Sequence, residues 1–182
     1  MAITTTYIAH KKTYVFLLVL VFGLYSQTMN LGFYSDDYLG INGYQAQGIQ
    51  GFFNNLGVPF FMPINYLFQL AELKLFGVNY TIFKIINLLL FYLTALFVYH
   101  ISRRINSQLN KSSPVSNFTG LLAATLFITS PYQTETINWF ASQAYILSTL
   151  LALVSLNYYL MFKESSKPKH VIFYFLFFFL SI

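Results

Sequence analysis

The fold class is decided by residues 13–38, which read TYVFLLVLVFGLYSQTMNLGFYSDDY. The stretch carries no charge up to Ser35 and is long enough to cross the roughly 30 Å hydrocarbon core of a bilayer as a helix. Asp36 and Asp37 follow at once, although the chain holds only five acidic residues in 182. Because a carboxylate at a bilayer centre costs about 2.5–3.5 kcal/mol, we expect this pair at an interface or in a water-filled cavity. Ionisable groups so placed indicate a functional site.

The composition of the whole chain indicates an integral membrane protein. It is 57% hydrophobic and only 8% charged, with a mean hydropathy of +0.59, whereas soluble domains carry about 25% charged residues. The net charge of +5 does not indicate a nucleic-acid partner, because the basic residues lie in short clusters between apolar runs. The absence of cysteine excludes disulfides and thiolate chemistry. The sequence shows no metal-ligand cluster, so no metal or other cofactor is expected.

Charge-poor stretches predict five membrane spans within one membrane domain that covers residues 1–182. The predicted spans cover residues 13–31, 81–102, 116–131, 141–162 and 171–182. The last stretch holds 12 residues, whose rise of about 18 Å as a helix is too short to cross a bilayer. We therefore expect the chain to be the N-terminal part of a longer protein. A cleaved signal peptide is the alternative interpretation of the first span, but no small-x-small cleavage site follows it.

The basic residues predict the side of the membrane that each loop faces. They cluster before the first span, between spans two and three, and between spans four and five: Lys11, Lys12, Arg103, Arg104, Lys111, Lys163, Lys167 and Lys169. Because loops rich in Lys and Arg stay in the cytoplasm, we predict a cytoplasmic N-terminus. The membrane itself is expected to be a bacterial plasma membrane. The acidic residues of the other loops then fall outside: Asp36, Asp37, Glu72 and Glu135.

The segment 32–80 is predicted to form an extracytoplasmic loop of short interfacial helices. It is rich in aromatic residues, which favour the headgroup region and argue against disorder. Within it, residues 64–76 are too short to span and hold Glu72 and Lys74, so we predict a helix that lies on the membrane. A crossing at this point would reverse every later span. The predicted fold is therefore all-α, a polytopic membrane helix bundle with an extracytoplasmic cap.

Acidic residues at the predicted outer face are the candidates for catalysis. Asp36 and Asp37 can supply a general base; the alternative is that they are only the solvated end of the first span. Glu135 lies in the short turn before span four. It either faces the same outer cavity or stabilises the first turn of span four through the helix dipole, with Thr134 as the N-cap.

Two polar residues at the start of span two are candidates for binding a lipid phosphate. Lys84 and Asn87 are three residues apart, so they share one face of the helix. The Lys84 ammonium either holds a phosphate as a point charge or extends to the interface in the way that buried lysines commonly do.

Four stretches of the sequence, taken in their order along the chain, suggest a known family: residues 34–37, 61–79, 83–90 and 130–144. Over roughly residues 12–162 the chain resembles the GT-C membrane glycosyltransferases, above all the protein O-mannosyltransferases and the bacterial lipid A aminoarabinose transferases. The resemblance implies transfer of a sugar, with inversion, from a polyprenyl-phosphate donor to an acceptor hydroxyl at the extracytoplasmic face. Asp36 would be the general base, and Asp37 would support it.

The resemblance also implies a set of residues that bind the donor: Lys84, Asn87, Glu135 and Gln143. Many relatives carry Arg at the position of Gln143, Arg or Lys at that of Met62, and an acid at that of Tyr145. Lys84 or Lys74 would then have to supply the positive charge for the donor phosphate. The expected partners are the polyprenyl-phosphate sugar and the lipid bilayer, with no nucleic acid. Without later spans to close the site, we expect the chain alone to be inactive.

Two other functions stay open at this point. The chain is alternatively a non-catalytic membrane protein, or a remnant, that binds lipid or a protein partner. It is alternatively a flippase or transporter of lipid-linked glycans, although such proteins typically show broken spans or inverted repeats, which this sequence lacks.

Overall fold

The computed structural model describes residues 2–56, 62–110 and 112–182, and these residues are almost entirely helical. They are 89% helix with no strand, which confirms the predicted all-α class. Their α-helices are α1 (Ala2–Tyr25), α2 (Ser35–Asn54), α3 (Pro63–Phe76), α4 (Tyr80–Asn110), α5 (Ser113–Thr129), α6 (Gln133–Asn138), α7 (Gln143–Ser165) and α8 (Pro168–Ser181). Short 3₁₀ turns, Ser26–Asn30 and Phe140–Ser142, follow α1 and precede α7. The predicted loop residues Phe61 and Lys111 lie outside the described ranges.

Three of the described helical segments are long and apolar enough to cross a membrane: Lys11–Asn30, Tyr80–Leu109 and Phe140–Ser165. They coincide with the first, second and fourth predicted spans. The helices at the other two predicted spans are apolar but shorter: Pro114–Thr129 and Pro168–Ser181. Large apolar side chains point outward along these helices, such as Val19, Phe118 and Leu126, each more than 60% exposed. An apolar outer surface of this kind is typical of helices that face lipid.

Helix α4 is the centre of the bundle, because it packs against α1, α5 and α7. Its fully buried apolar residues recur every three or four positions, at Leu88, Phe91, Ala95 and Tyr99, and so form one continuous face. Helix α1 meets this face with residues that are four apart: Leu17, Val21 and Tyr25. The core therefore lies between the three long helices and α5.

Helices α1 and α4 are antiparallel, as two contacts along them show. The hydroxyl of Tyr14, in the middle of α1, lies 3.0 Å from Nε2 of His100 in the last third of α4. At the opposite end, the hydroxyl of Tyr80 donates to the carbonyl of Thr28 over 3.1 Å. One turn away, Tyr25 donates to the Ile128 carbonyl of α5 over 2.8 Å.

Helices α4 and α7, in contrast, run parallel. In the first third of α4, Asn87 accepts from Gln143 at the start of α7 over 2.8 Å. In the last third of α4, Arg104 lies 3.3 Å from Glu164 at the end of α7. The bundle thus has two distinct ends. We call the end with Asp36, Lys84 and Glu135 the site end, and the end with Arg103, Arg104 and Lys163 the basic end.

The predicted short helices at the site end are present as α2 and α3, which we call the cap. Helix α2 covers 20 residues, but its backbone is non-helical at Gly48 (φ 51°, ψ −136°), a conformation accessible to glycine, and this residue divides it into two shorter helical pieces. The bend is held from α3, because the hydroxyl of Tyr66 donates to the Gly48 carbonyl over 2.7 Å. Helix α3 agrees with the predicted helix and ends at Gly77, whose φ is 65°.

Gly120 of α5 allows the closest approach between α4 and α5. A Cβ atom there would lie 2.7 Å from the Tyr99 carbonyl oxygen and 3.1 Å from Cβ of Arg103. We expect Gly120→Ala to push the two helices apart and to cost about 1–3 kcal/mol. The control is Gly23→Ala in α1, where nothing lies within 4 Å of the added atom. Thermal unfolding in detergent compares the two, and equal midpoints would contradict this packing.

Candidate functional site

A cavity of about 650 Å³ opens at the site end of the bundle. One wall carries Tyr34 and Asp36 from the start of α2, and the other carries residues around α6: Pro131, Thr134, Glu135, Asn138 and Trp139. Its volume lies within the range of cavities that hold small molecules. Two acids from distant parts of the chain, Asp36 and Glu135, thus line the same space, and both are exposed.

The two adjacent aspartates have opposite surroundings. Asp36 is exposed to the cavity, whereas Asp37 is only 1% exposed. One oxygen of Asp37 accepts the backbone N–H of Tyr34 over 2.9 Å and so caps the start of α2. The other oxygen accepts the N–H of Ala141 over 3.1 Å. Asp37 therefore ties α2 to the turn before α7, while the carboxylate of Asp36 stays accessible.

Behind the cavity, a buried polar network joins α3, α4 and α7. Its centre is Gln143, which is fully buried and donates from Nε2 to Glu72 over 3.0 Å and to Asn87 over 2.8 Å. Glu72 and Asn87 are themselves less than 5% exposed. The sequence analysis places Asn87 and Gln143 among residues that bind a donor, but the structure encloses both side chains in this network.

Lys84 extends the network to the wall of the cavity. It is 2% exposed, and its ammonium donates to the Ile137 carbonyl over 3.2 Å and to Oδ1 of Asn138. Among the residues that the structure describes, no carboxylate forms an ion pair with Lys84. Since Asn138 also lines the cavity, an unpaired positive charge lies directly behind the cavity wall. The alternative prediction, that the Lys84 side chain extends to the membrane interface, does not agree with this buried position.

Glu135 lies between the third and fourth predicted spans, as predicted, and lines the same cavity as Asp36. The alternative prediction does not hold, because the residue lies in the first turn of the separate six-residue helix α6 and not in the first turn of the fourth span. The N-cap of α6 is Tyr132, and Thr134 plays no capping role. The backbone is extended at Trp139, with φ −94° and ψ 122°, which ends α6 and lets the chain turn into α7. This break separates α6 from α7.

A second set of hydrogen bonds joins α2 and α3 to the residues that follow this break. Gln69 of α3 donates to the Phe140 carbonyl over 3.0 Å, and its Oε1 accepts from the Tyr44 hydroxyl of α2 over 2.5 Å. Burial raises the pKa of Tyr44 to about 12, so this hydroxyl remains a donor at any physiological pH. Both walls of the cavity are therefore fixed to α3.

The role of Glu72 in the buried polar network was not predicted from the sequence. Together with two other residues this glutamate forms a buried polar stripe along α3, at Asn65, Gln69 and Glu72, while Leu67 on the opposite face is 38% exposed. The spacing of four and three residues was the available signal, because it places all three on one helix face. Within the described ranges, no group of three or more Asp, Glu or His side chains is placed to hold a metal ion.

Glu72 should make the stability of the fold depend on pH. Burial raises the pKa of Glu72 to about 7, although the hydrogen bond from Gln143 opposes the shift. Because this pKa lies above the ordinary value of 4.5, the proton stabilises the folded state. That contribution is complete below about pH 4.5 and is lost as the pH rises through about 7.

We expect Glu72→Gln to remove this dependence, because the amide keeps an oxygen for Gln143 and carries no charge. Between pH 5 and pH 8.5 the wild type should lose roughly 2 kcal/mol relative to the variant. Chemical unfolding in detergent at the two pH values measures the difference. Parallel pH profiles for the two proteins would show that Glu72 does not carry the effect.

Comparison with known proteins gave no match: no family model, no curated protein and no solved structure is similar to this chain. The resemblance to the GT-C glycosyltransferases therefore stays a prediction from the sequence.

Proposed function

We propose that this chain carries the site of a membrane glycosyltransferase of the GT-C type, which moves a sugar from a polyprenyl-phosphate donor to an acceptor hydroxyl at the extracytoplasmic face. The observation that carries the proposal is the cavity of about 650 Å³ that the exposed residues Asp36 and Glu135 both line. A general base must be exposed to its substrate, and Asp36 meets this requirement while its neighbour Asp37 does not.

Contacts among the four stretches that suggest the family support the proposal. Asp37 of the first stretch accepts the N–H of Ala141 from the fourth. Glu72 of the second accepts from Gln143 of the fourth. Lys84 of the third donates to Asn138 of the fourth. Stretches that lie far apart in the sequence thus form one connected unit around the cavity.

In the proposed reaction, Asp36 accepts the proton of the acceptor hydroxyl as that oxygen attacks the anomeric carbon of the sugar. The bond between the anomeric carbon and the phosphate oxygen breaks, and polyprenyl phosphate leaves with the bonding electrons. A single displacement of this kind inverts the anomeric configuration. Glu135 on the opposite wall accepts hydrogen bonds from sugar hydroxyls and so orients the ring.

In this proposal Lys84 acts on the donor phosphate from behind the cavity wall, whereas an exposed lysine would bind the phosphate directly. Its ammonium is held by Asn138 behind the cavity wall, where water does not screen it as it screens a surface charge. The negative charge that develops on the leaving phosphate is stabilised by this fixed positive charge. Lys74 is the other candidate, but it lies exposed on α3.

Two lysine variants separate these candidates. We expect Lys84→Gln to weaken donor binding about 5- to 10-fold, because the charge behind the wall is lost. Lys74→Gln should change it less than twofold, since an exposed lysine is screened by water and salt. Donor titration of the purified variants measures both. A larger loss of donor binding in the Lys74 variant than in the Lys84 variant would show that Lys74 binds the donor phosphate.

The proposal itself is tested by transfer in proteoliposomes that contain the full-length protein, since the 182-residue chain alone is expected to be inactive. We expect radiolabelled sugar to move from a polyprenyl-phosphate donor to an acceptor hydroxyl, and no transfer from the corresponding nucleotide sugar. Saturable donor binding without any transfer would favour the non-catalytic alternative. Movement of intact lipid-linked sugar between leaflets, without cleavage, would favour a flippase.

A further inference from the structure

A second cavity, of about 370 Å³, lies between α4 and α7 at the basic end of the bundle. Its lining includes Phe97, His100, Arg103 and Arg104 from α4 together with Asn157 and Glu164 from α7. We propose that this cavity binds the phosphate group of an anionic phospholipid. The site is separate from the Asp36 cavity and does not depend on the function proposed for that cavity.

Of the two arginines that line this cavity, only Arg104 forms a hydrogen bond and an ion pair with residues that the structure describes. Arg104 donates from Nη1 to Oδ1 of Asn157 over 2.8 Å, and its Nε lies 3.3 Å from Oε1 of Glu164. Gln108 donates to the same Glu164 oxygen over 2.9 Å. The charge of Glu164 is thus matched by Arg104, and both side chains are held in place.

Arg103, next to this pair, makes no hydrogen bond or ion pair with any residue that the structure describes. Its guanidinium is partly exposed and lines the cavity. The cavity therefore has about one net positive charge, which matches the single negative charge of a phosphodiester. The planar guanidinium also offers two parallel N–H donors to phosphate oxygens, which a lysine does not.

The depth of this cavity favours a lipid over a soluble anion. His100 and Arg103 follow Tyr80 by about six turns of α4, a rise of roughly 30–35 Å. That distance is close to the thickness of the hydrocarbon core, and α4 is apolar enough to cross it. If Tyr80 lies at one interface, the cavity lies at the headgroups of the opposite leaflet. Basic cavities between helices at that level suit anionic headgroups, and Phe97 offers an apolar surface to the acyl chains.

The test compares lipid binding to the full chain in detergent, measured by native mass spectrometry. We expect phosphatidylglycerol to bind more tightly than phosphatidylcholine. Arg103→Gln should weaken phosphatidylglycerol binding about tenfold, through loss of a charge-assisted contact. It should weaken phosphatidylcholine binding less, because the choline cation of that lipid offsets the charge of its phosphate. The matched control is Lys167→Gln, which removes an exposed positive charge between α7 and α8 and should change binding less than twofold.

Several results would overturn the proposal. Equal binding of the two lipids, an unaffected Arg103 variant, or an equal loss in the Lys167 variant would each show that the cavity is not a lipid-phosphate site. Displacement of phosphatidylglycerol by millimolar inorganic phosphate would assign the cavity to a soluble anion. If Arg103→Gln does not fold, Ser107→Glu places a carboxylate on the cavity wall, and unchanged phosphatidylglycerol binding in that variant would equally contradict the proposal.

Discussion

In the full-length protein, replacing Asp36 by Asn should lower the rate of sugar transfer by about 10²–10⁴-fold, the typical loss when a general base is removed. The amide has nearly the same size, and Asp36 is exposed on the cavity wall. We therefore expect the stability of the variant to stay within about 0.5 kcal/mol of the wild type. Donor binding should also be retained, because the base acts on the acceptor hydroxyl and not on the donor phosphate.

The measurement is single-turnover transfer from a radiolabelled polyprenyl-phosphate sugar, with donor binding measured on the same preparations. Glu135→Gln is the matched comparison, since it removes the other carboxylate of the cavity. It should weaken substrate binding more than it slows the chemical step. A wild-type rate for the Asp36 variant would remove Asp36 from the reaction.

Replacing Asp37 by Ala should instead destabilise the fold, by roughly 3 kcal/mol. The change leaves two N–H groups, those of Tyr34 and Ala141, without their acceptor, and each unsatisfied buried group costs about 1–3 kcal/mol. Asp37→Asn should cost about half as much, because its one remaining oxygen still accepts from one of them. Asp36→Ala is the control, and its effect on stability should be small.

Thermal unfolding of the three variants in the same detergent tests this contrast between neighbours. Transfer by Asp37→Asn, measured at a temperature where it is folded, should stay within about tenfold of the wild type. A loss as large as that of Asp36→Asn in a stable Asp37 variant would show that Asp37 takes part in the chemistry directly.

Much of the architecture could be predicted from the sequence, because long apolar runs have few alternatives. The first, second and fourth predicted spans coincide with segments long and apolar enough to cross a bilayer, and α3 covers Pro63–Phe76 with Gly77 as its C-cap, as its turn residues indicate. These features depend on local composition and on backbone preferences that can be read from a single chain.

The different surroundings of Asp36 and Asp37 could not be predicted in the same way. The two side chains are chemically identical, and their burial depends on where α2 begins. Because α2 begins at Ser35, Asp37 occupies the position that caps the helix start, and Asp36 turns away into the cavity. A start one residue earlier or later would change which of the two carboxylates is accessible.

The buried network could not be predicted either, since it depends on tertiary packing. Lys84 was expected at a membrane interface or on a lipid phosphate, but it reaches Asn138 of a helix that the sequence analysis treated as a turn. Gln143 contacts Glu72 and Asn87 from two different helices. Such pairings follow from how the helices cross, which the spacing of residues along one helix does not determine.

The most direct test of the central claim, that the Asp36 cavity is an outward-facing site for a polyprenyl-phosphate sugar, is labelling of a single cysteine. The chain has no native cysteine, so Thr134→Cys introduces one on the exposed cavity wall. Tyr132→Cys is the control, because this nearby position is 87% exposed and does not line the cavity. We expect a membrane-impermeant maleimide to label both from outside intact cells, and the donor to slow labelling only at position 134. Labelling that requires permeabilised cells, or that the donor slows equally at both positions or at neither, would contradict the account.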